Sequence, residues 1–155
     1  MIKMICFDMD GTIADLYSVE GWEPMLRAED TTPYEAAEPM WDMAELAEVL
    51  MMLQMAQIEI RVITWLGKQS TEDFKERSRT AKREWLERYG LPIDHFHGVQ
   101  YGATKADSIR KYLPDGETAI LIDDNAKVRS GWHMGEAIDP TEVDIISFLR
   151  GLLED

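Results

Sequence analysis

Phe7-Asp8-Met9-Asp10-Gly11-Thr12 sets two carboxylates two residues apart, directly after an apolar run, and follows them with a glycine. On leaving a strand, residues two apart can point to the same side, so Asp8 and Asp10 are expected to converge on one site. The glycine allows a sharp turn there. Carboxylates this close repel each other unless a cation holds them or one is protonated. Hard oxygen ligands suit Mg²⁺, so the stretch reads as a Mg²⁺ site that doubles as a catalytic pair. A surface turn also uses Asp and Gly, for conformational reasons alone. Against it, average residue usage makes a chance match to the four fixed motif positions roughly a one-in-a-thousand event in such a chain.

Asp123-Asp124 also follows an apolar run directly. Acids at a strand end can simply cap the next helix, but capping does not explain why two separate strands end in acid pairs. Thr64 closes the run Ile60-Arg61-Val62-Ile63, where strand propensity alone would favour it. Lys105 opens a helical stretch after Tyr101-Gly102-Ala103-Thr104, a place where a lone lysine is usually a solvated charge. Order and spacing turn the odds towards Thr64 and Lys105 belonging with the acids.

The elements that must position these residues alternate. Strands are predicted at Ile2 to Phe7, Ile58 to Trp65 and Ala119 to Ile122, with weaker candidates at His97 to Tyr101 and Gly135 to Ile138. Met43, Leu46, Leu50 and Leu53 recur at helical spacing. Thr71 to Tyr89 predicts a long charged helix stopped by Gly90 and Pro92. Lys105 to Leu113 and Thr141 to Leu153 predict two more. Alternating strands and helices argue for a single α/β domain over 1–155 with a mostly parallel sheet of about five strands. Ligands gather at the carboxyl ends of such strands, and the acids stand there. Residues 16–42, with Gly21, Pro24, Pro33 and Pro39 and no strong period, read as a flap or small helical insert.

The order D-x-D-G-T, a strand ending in Thr, a Lys opening a helix and a strand ending in D-D resembles the haloacid dehalogenase-like phosphohydrolase superfamily, over nearly the whole chain. Leu121-Ile122-Asp123-Asp124 and the stretch Lys82 to Gly90 are most similar to its small 5′(3′)-deoxyribonucleotidase-type members. The resemblance implies a Rossmann-like three-layer sandwich with a minimal cap. It implies Asp8 as nucleophile forming an aspartyl-phosphate, and Asp10 as general acid, then base. Mg²⁺ would lie between the side chain of Asp8, the backbone carbonyl of Asp10 and Asp124, with Asp123 bound directly or through water. Thr64 and Lys105 would hold the phosphoryl oxygens, with Trp65 beside them, while Gly11 and Thr12 shape the turn. The family's larger caps do not fit before Met43, so the site is expected to be open, or covered by a small lid or a neighbouring subunit.

These residues lead to a Mg²⁺-dependent phosphomonoesterase of a small phosphorylated metabolite, with a nucleoside monophosphate foremost. The alternatives are a phosphatase for nucleic-acid 3′ ends and a non-catalytic binding module on the same fold. The net charge of −14 disfavours nucleic-acid and anionic-membrane partners. Residues 1–60 alone hold 13 acids against Lys3 and Arg27. No apolar span reaches the roughly 20 residues a membrane helix needs. A single cysteine, Cys6, makes a reducing cytoplasm the simplest compartment. His95, His97 and His133 lack zinc-ligand spacing. Trp22, Trp41 and Trp65 are candidates for stacking on a base, Trp65 foremost, although core burial is the commoner fate of tryptophan. Lys75, Arg77, Arg79, Lys82 and Arg83 interleave with acids and read as a solvated, salt-bridged helix face. Met51, Met52 and Met55 read as core filler.

Overall fold

Apolar runs closed by turn residues form the strands, and runs of helical period form the helices, in a computed structural model that describes residues 1–154. In chain order the elements are β1 (Ile2–Phe7), β2 (Ala14–Asp15), α1 (Trp22–Arg27), α2 (Thr32–Ala36), β3 (Glu38–Pro39), α3 (Met43–Met55), β4 (Glu59–Trp65), α4 (Glu72–Arg88), β5 (His95–Val99), α5 (Lys105–Ile109), β6 (Thr118–Ile122), α6 (Ala126–Ser130), β7 (Ala137–Ile138) and α7 (Ile145–Leu152). Five strands make one parallel sheet in the order β5-β4-β1-β6-β7. Helices flank it, as in a Rossmann-like α/β fold.

β1 lies at the centre, and Met4, Ile5, Cys6 and Phe7 are fully buried. Burial of each such side chain contributes roughly 1.5–3 kcal/mol. Their alternation splits the core into two layers. Ile5 and Phe7 join Ile60, Val62, Ile120 and Ile122 against Leu46, Leu50 and Leu53 of α3, Trp85 of α4 and Leu149 of α7. Met4 and Cys6 face the other way, with Ile63 and Leu121, onto Ala106 and Ile109 of α5 and onto Trp132. Register then delivers the polar residues together. Phe7 pairs with Val62 on one side and Ile122 on the other, so Asp8, Thr64 and Asp123 all emerge at one edge.

The segment between β2 and β3 is a small insert closed at its neck by their antiparallel pairing, Ala14 with Pro39 and Asp15 with Glu38. It contains α1 and α2. Its Leu16 and Tyr34 pack on Phe74 and Ala81 of α4, with Trp22 and Leu26 alongside. Glu29 accepts hydrogen bonds from the backbone N–H and the hydroxyl of Thr71, at 2.9 and 3.0 Å, and so fastens the insert to the start of α4.

Several sequence expectations shift. β5 lies two residues earlier than the predicted His97–Tyr101, because Gln100 to Ala103 form a turn, with Gly102 at φ +82°. α7 starts at Ile145 rather than Thr141. Asp139 folds back onto the backbone and hydroxyl of Thr141, and Asp144 caps the helix by accepting from Ser147 N–H. The helix at Lys105 tightens to a 3₁₀ turn over Arg110–Tyr112. Met51, Met52 and Met55 are not core filler but 50%, 46% and 81% exposed. Leu46, Val49, Leu50 and Leu53 take the inward stripe of α3, and those methionines fall off it. No helix among the described residues is long and apolar enough to cross a membrane.

Candidate active site

The turn after β1 is built around Asp124. Gly11 adopts φ +82°, and a Cβ there would lie 2.3 Å from Asp124 Oδ2. The glycine therefore serves both the left-handed backbone and the close approach of the second acid pair. Thr12, fully buried, links the two strand ends. Its hydroxyl donates to Asp8 Oδ2 at 3.0 Å and accepts from the backbone N–H of Asp124 at 3.2 Å. The helix after β6 takes its cap from Asn125, which accepts from the N–H groups of Lys127 and Val128. Capping thus does not account for the two aspartates.

Lys105 is a buried site residue, not a solvated charge. Its Nζ donates to Asp8 Oδ1 and to Asp123 Oδ2, each at 2.8 Å. Asp123 also accepts from the N–H of Asn125 through Oδ1 at 2.9 Å. Burial works against the Lys105 ammonium, but Asp8 and Asp123 outweigh it and hold its pKa above the ordinary lysine range. Burial also raises the pKa of Asp123, with Asp8 adding to the effect and Lys105 opposing it. Asp124 is pushed up to about 8, first by burial, then by its hydrogen bond with Asp8 and the charges of Asp8 and Asp123.

Asp8, Asp123 and Asp124 each present a carboxylate oxygen within 4.8 Å of the others'. Three crowded oxygens, with one lysine to neutralise them, form a donor set that fits a hard divalent cation. The carboxylate of Asp10 stands outside this trio. It pairs instead with Lys82, whose Nζ lies 2.8 Å from Asp10 Oδ2. Enclosure raises the pKa of Asp10, Lys82 opposes that rise, and Asp8 adds to it.

Lys82 corrects the sequence reading. Lys75, Arg77 and Arg79 do pair with neighbouring acids on the outer face of α4, but Lys82 is fully buried. Besides Asp10, its Nζ donates to Thr64 Oγ1 at 2.8 Å and to the Trp65 carbonyl at 3.0 Å. The ring of Tyr34 from the insert lies 4.6 Å from the same nitrogen. The signal was present in the sequence. Phe74, Ser78, Ala81, Lys82 and Trp85 form one buried helical stripe, and a lysine on such a stripe needs partners.

Thr64 is buried beside Lys82, its oxygen accepting. Trp65 does not offer its N–H to an anion, because that group donates to the Ala103 carbonyl at 2.9 Å. It offers its ring, 5.1 Å between centroids from Tyr101 and 5.4 Å from Lys105 Nζ. Both aromatics stand on the wall of a cavity of about 630 Å³ that also touches Asp8, Asp10, Thr64, Lys105, Asp123 and Asp124. Leu16, Tyr17, Trp22 and Tyr34 of the insert make another part of the wall. Trp41 is elsewhere and holds the loop through a 2.7 Å hydrogen bond to the Thr12 carbonyl. Asp8, Asp10, Thr64, Trp65, Lys105, Asp123 and Asp124 therefore all line one cavity, and Lys82 stands behind its wall, joined to it through Asp10 and Thr64. Neither a protein-family model nor a curated protein matches the chain.

Proposed function

We propose that this chain is a Mg²⁺-dependent phosphomonoesterase of the haloacid dehalogenase type, acting on a small phosphorylated metabolite such as a nucleoside monophosphate. The observation that carries the reading is the convergence of Asp8, Asp123 and Asp124 within 4.8 Å, with Lys105 bridging Asp8 and Asp123. Asp8, Asp123 and Asp124 would hold the metal, with the Asp10 carbonyl as the further ligand that the resemblance implies. When bound, the ion offsets the carboxylate charge so that an anionic nucleophile can approach an anionic phosphate.

The protein's own groups supply the rest. Thr12 and Lys105 each hold one Asp8 oxygen and so fix the direction in which the carboxylate faces the cavity. The Asp8 oxygen attacks phosphorus as the ester P–O bond breaks, and Asp10 protonates the departing oxygen. Water then attacks the aspartyl-phosphate, gives its proton to Asp10, and releases phosphate and free Asp8. The Lys105 ammonium and the Thr64 hydroxyl stabilise charge on the phosphoryl oxygens. Trp65, Tyr101 and Trp22 give the cavity aromatic faces for the remainder of the substrate.

A screen across nucleotides, sugar phosphates and phosphorylated DNA ends, with and without Mg²⁺, tests the proposal. Asp8→Asn is expected to abolish turnover with an unchanged circular dichroism spectrum. Turnover by that variant would remove Asp8 as nucleophile. Silence of the wild type on every ester would leave the binding-module reading.

A further inference from the structure

From the contacts of Lys82 we infer that it is the positioning residue for Asp10, fixing that carboxylate as the proton donor to the leaving group; the inference rests on the phosphomonoesterase reading. An ammonium has three N–H donors, and all three of Lys82 are engaged, on Asp10 Oδ2, Thr64 Oγ1 and the Trp65 carbonyl. Lys82 is therefore not a phosphate ligand. Two of its bonds go to consecutive residues at the end of β4 and fix the nitrogen in space. The third holds one oxygen of Asp10.

Backbone hydrogen bonds and Trp41 hold the loop itself, but among the described residues no other side chain holds the Asp10 carboxylate. The turn continues from Asp10 into Gly11 at φ +82°, and the Thr12 hydroxyl serves Asp8 and Asp124 rather than Asp10. Among the described residues, no hydrogen bond reaches Asp10 Oδ1, while the residue lines the cavity. Lys82 thus pins Oδ2 and leaves Oδ1 as the oxygen that gives a proton to the ester oxygen as its bond to phosphorus breaks. Lys82 is fully buried, with the Tyr34 ring 4.6 Å from its nitrogen, and this enclosure strengthens its hydrogen bond to Oδ2 and makes the direction of that bond definite while Oδ1 carries the proton.

General acid assistance is worth about 10²–10⁴-fold, and more when the leaving group is a poor one. The test is the rate of wild type and Lys82→Met on a graded series of phosphate esters, from dinitrophenyl to simple alkyl, with Mg²⁺ present. Lys82→Met is expected to lose about 10²-fold or more in kcat/KM, which reports the phosphoryl-transfer step, on alkyl phosphates and less than about tenfold on the dinitrophenyl ester. KM for the alkyl esters should stay within a few-fold, and Lys82→Arg should recover part of the alkyl-ester kcat/KM. A uniform fall in kcat/KM across the series, or none, overturns the inference while leaving the phosphatase reading standing. A wild type inactive on every ester overturns both.

Lys82→Met leaves Asp10 without its partner, so folding is guarded by a second arm. Asp10→Asn/Lys82→Met leaves neither charge unpaired. In the Asp10→Asn background, adding Lys82→Met should change the alkyl-ester rate by less than about threefold, because the group it positions is already gone. A further loss of about a hundredfold would show that Lys82 acts by another route.

Discussion

Gly11 and Asp124 are joined by a contact that no local rule of turn chemistry demands. A glycine at φ +82° is ordinary in a tight turn, but the space where its Cβ would lie is held by Asp124 Oδ2. Gly11→Ala is therefore expected to do two separate things. The left-handed backbone costs on the order of 1 kcal/mol for a residue with a Cβ, and the displaced Asp124 leaves the carboxylate trio. A thermal melt should show the first as a modestly lower Tm in metal-free buffer. The second should appear as a loss of the Mg²⁺-induced rise in Tm; an undiminished rise would mean that Asp124 is not held by Gly11. At this scale Asp8, Asp10, Asp123 and Asp124 were legible because each follows an apolar strand. Lys82 was misread because the charge of its neighbours concealed the stripe it shares with Phe74 and Trp85.

α4 joins three parts of the molecule along 17 residues. Its start is clasped by Glu29 of the insert, its middle carries Lys82 to Asp10, and near its end Trp85 packs in the sheet core and donates to the Ala37 carbonyl at 2.8 Å. Glu29→Ala removes the acceptor for the Thr71 N–H and hydroxyl, while Thr71 still caps the helix by accepting from Phe74 N–H. The expected loss of stability is about 1 kcal/mol. Because the insert forms part of the cavity wall, KM should rise several-fold with kcat little changed. An unaltered KM would separate the clasp from substrate binding. The long helix and central strands were readable from periodicity, but the insert was not. Residues 16–42 lack a strong period, and their two short helices are held by packing on α4 rather than by their own propensity.

Charge governs the molecule as a whole. A net charge of −14 gives no general attraction for a phosphate ester, so the local ammonium groups and a bound cation must supply it. Crowded carboxylates in a folded site relax when a divalent ion binds, and the unfolded chain has no such site. Mg²⁺ at a hundred times its Kd is expected to add about 2.7 kcal/mol of stability. For a domain of this size that is a rise in Tm of roughly 5–10 °C. EDTA should reverse it, and Asp124→Asn should reduce it. A Tm insensitive to Mg²⁺ would set the metal assignment aside.

From its sequence alone this chain determined an α/β alternation, with oxygen-bearing residues at the ends of three strands and a lysine opening a helix. Strand ends are legible because apolar runs stop abruptly and local chemistry changes there. Tertiary structure decided what those residues touch. The pairing of Phe7 with Val62 and Ile122 is a non-local choice, and it sets Asp8 level with Asp123 and one residue short of Thr64. Lys82 lies 72 residues from its partner Asp10, and the insert is seated on a helix that follows it by some thirty-five residues. Contacts of that separation depend on which faces are buried together, and burial is a property of the assembled layers rather than of any segment.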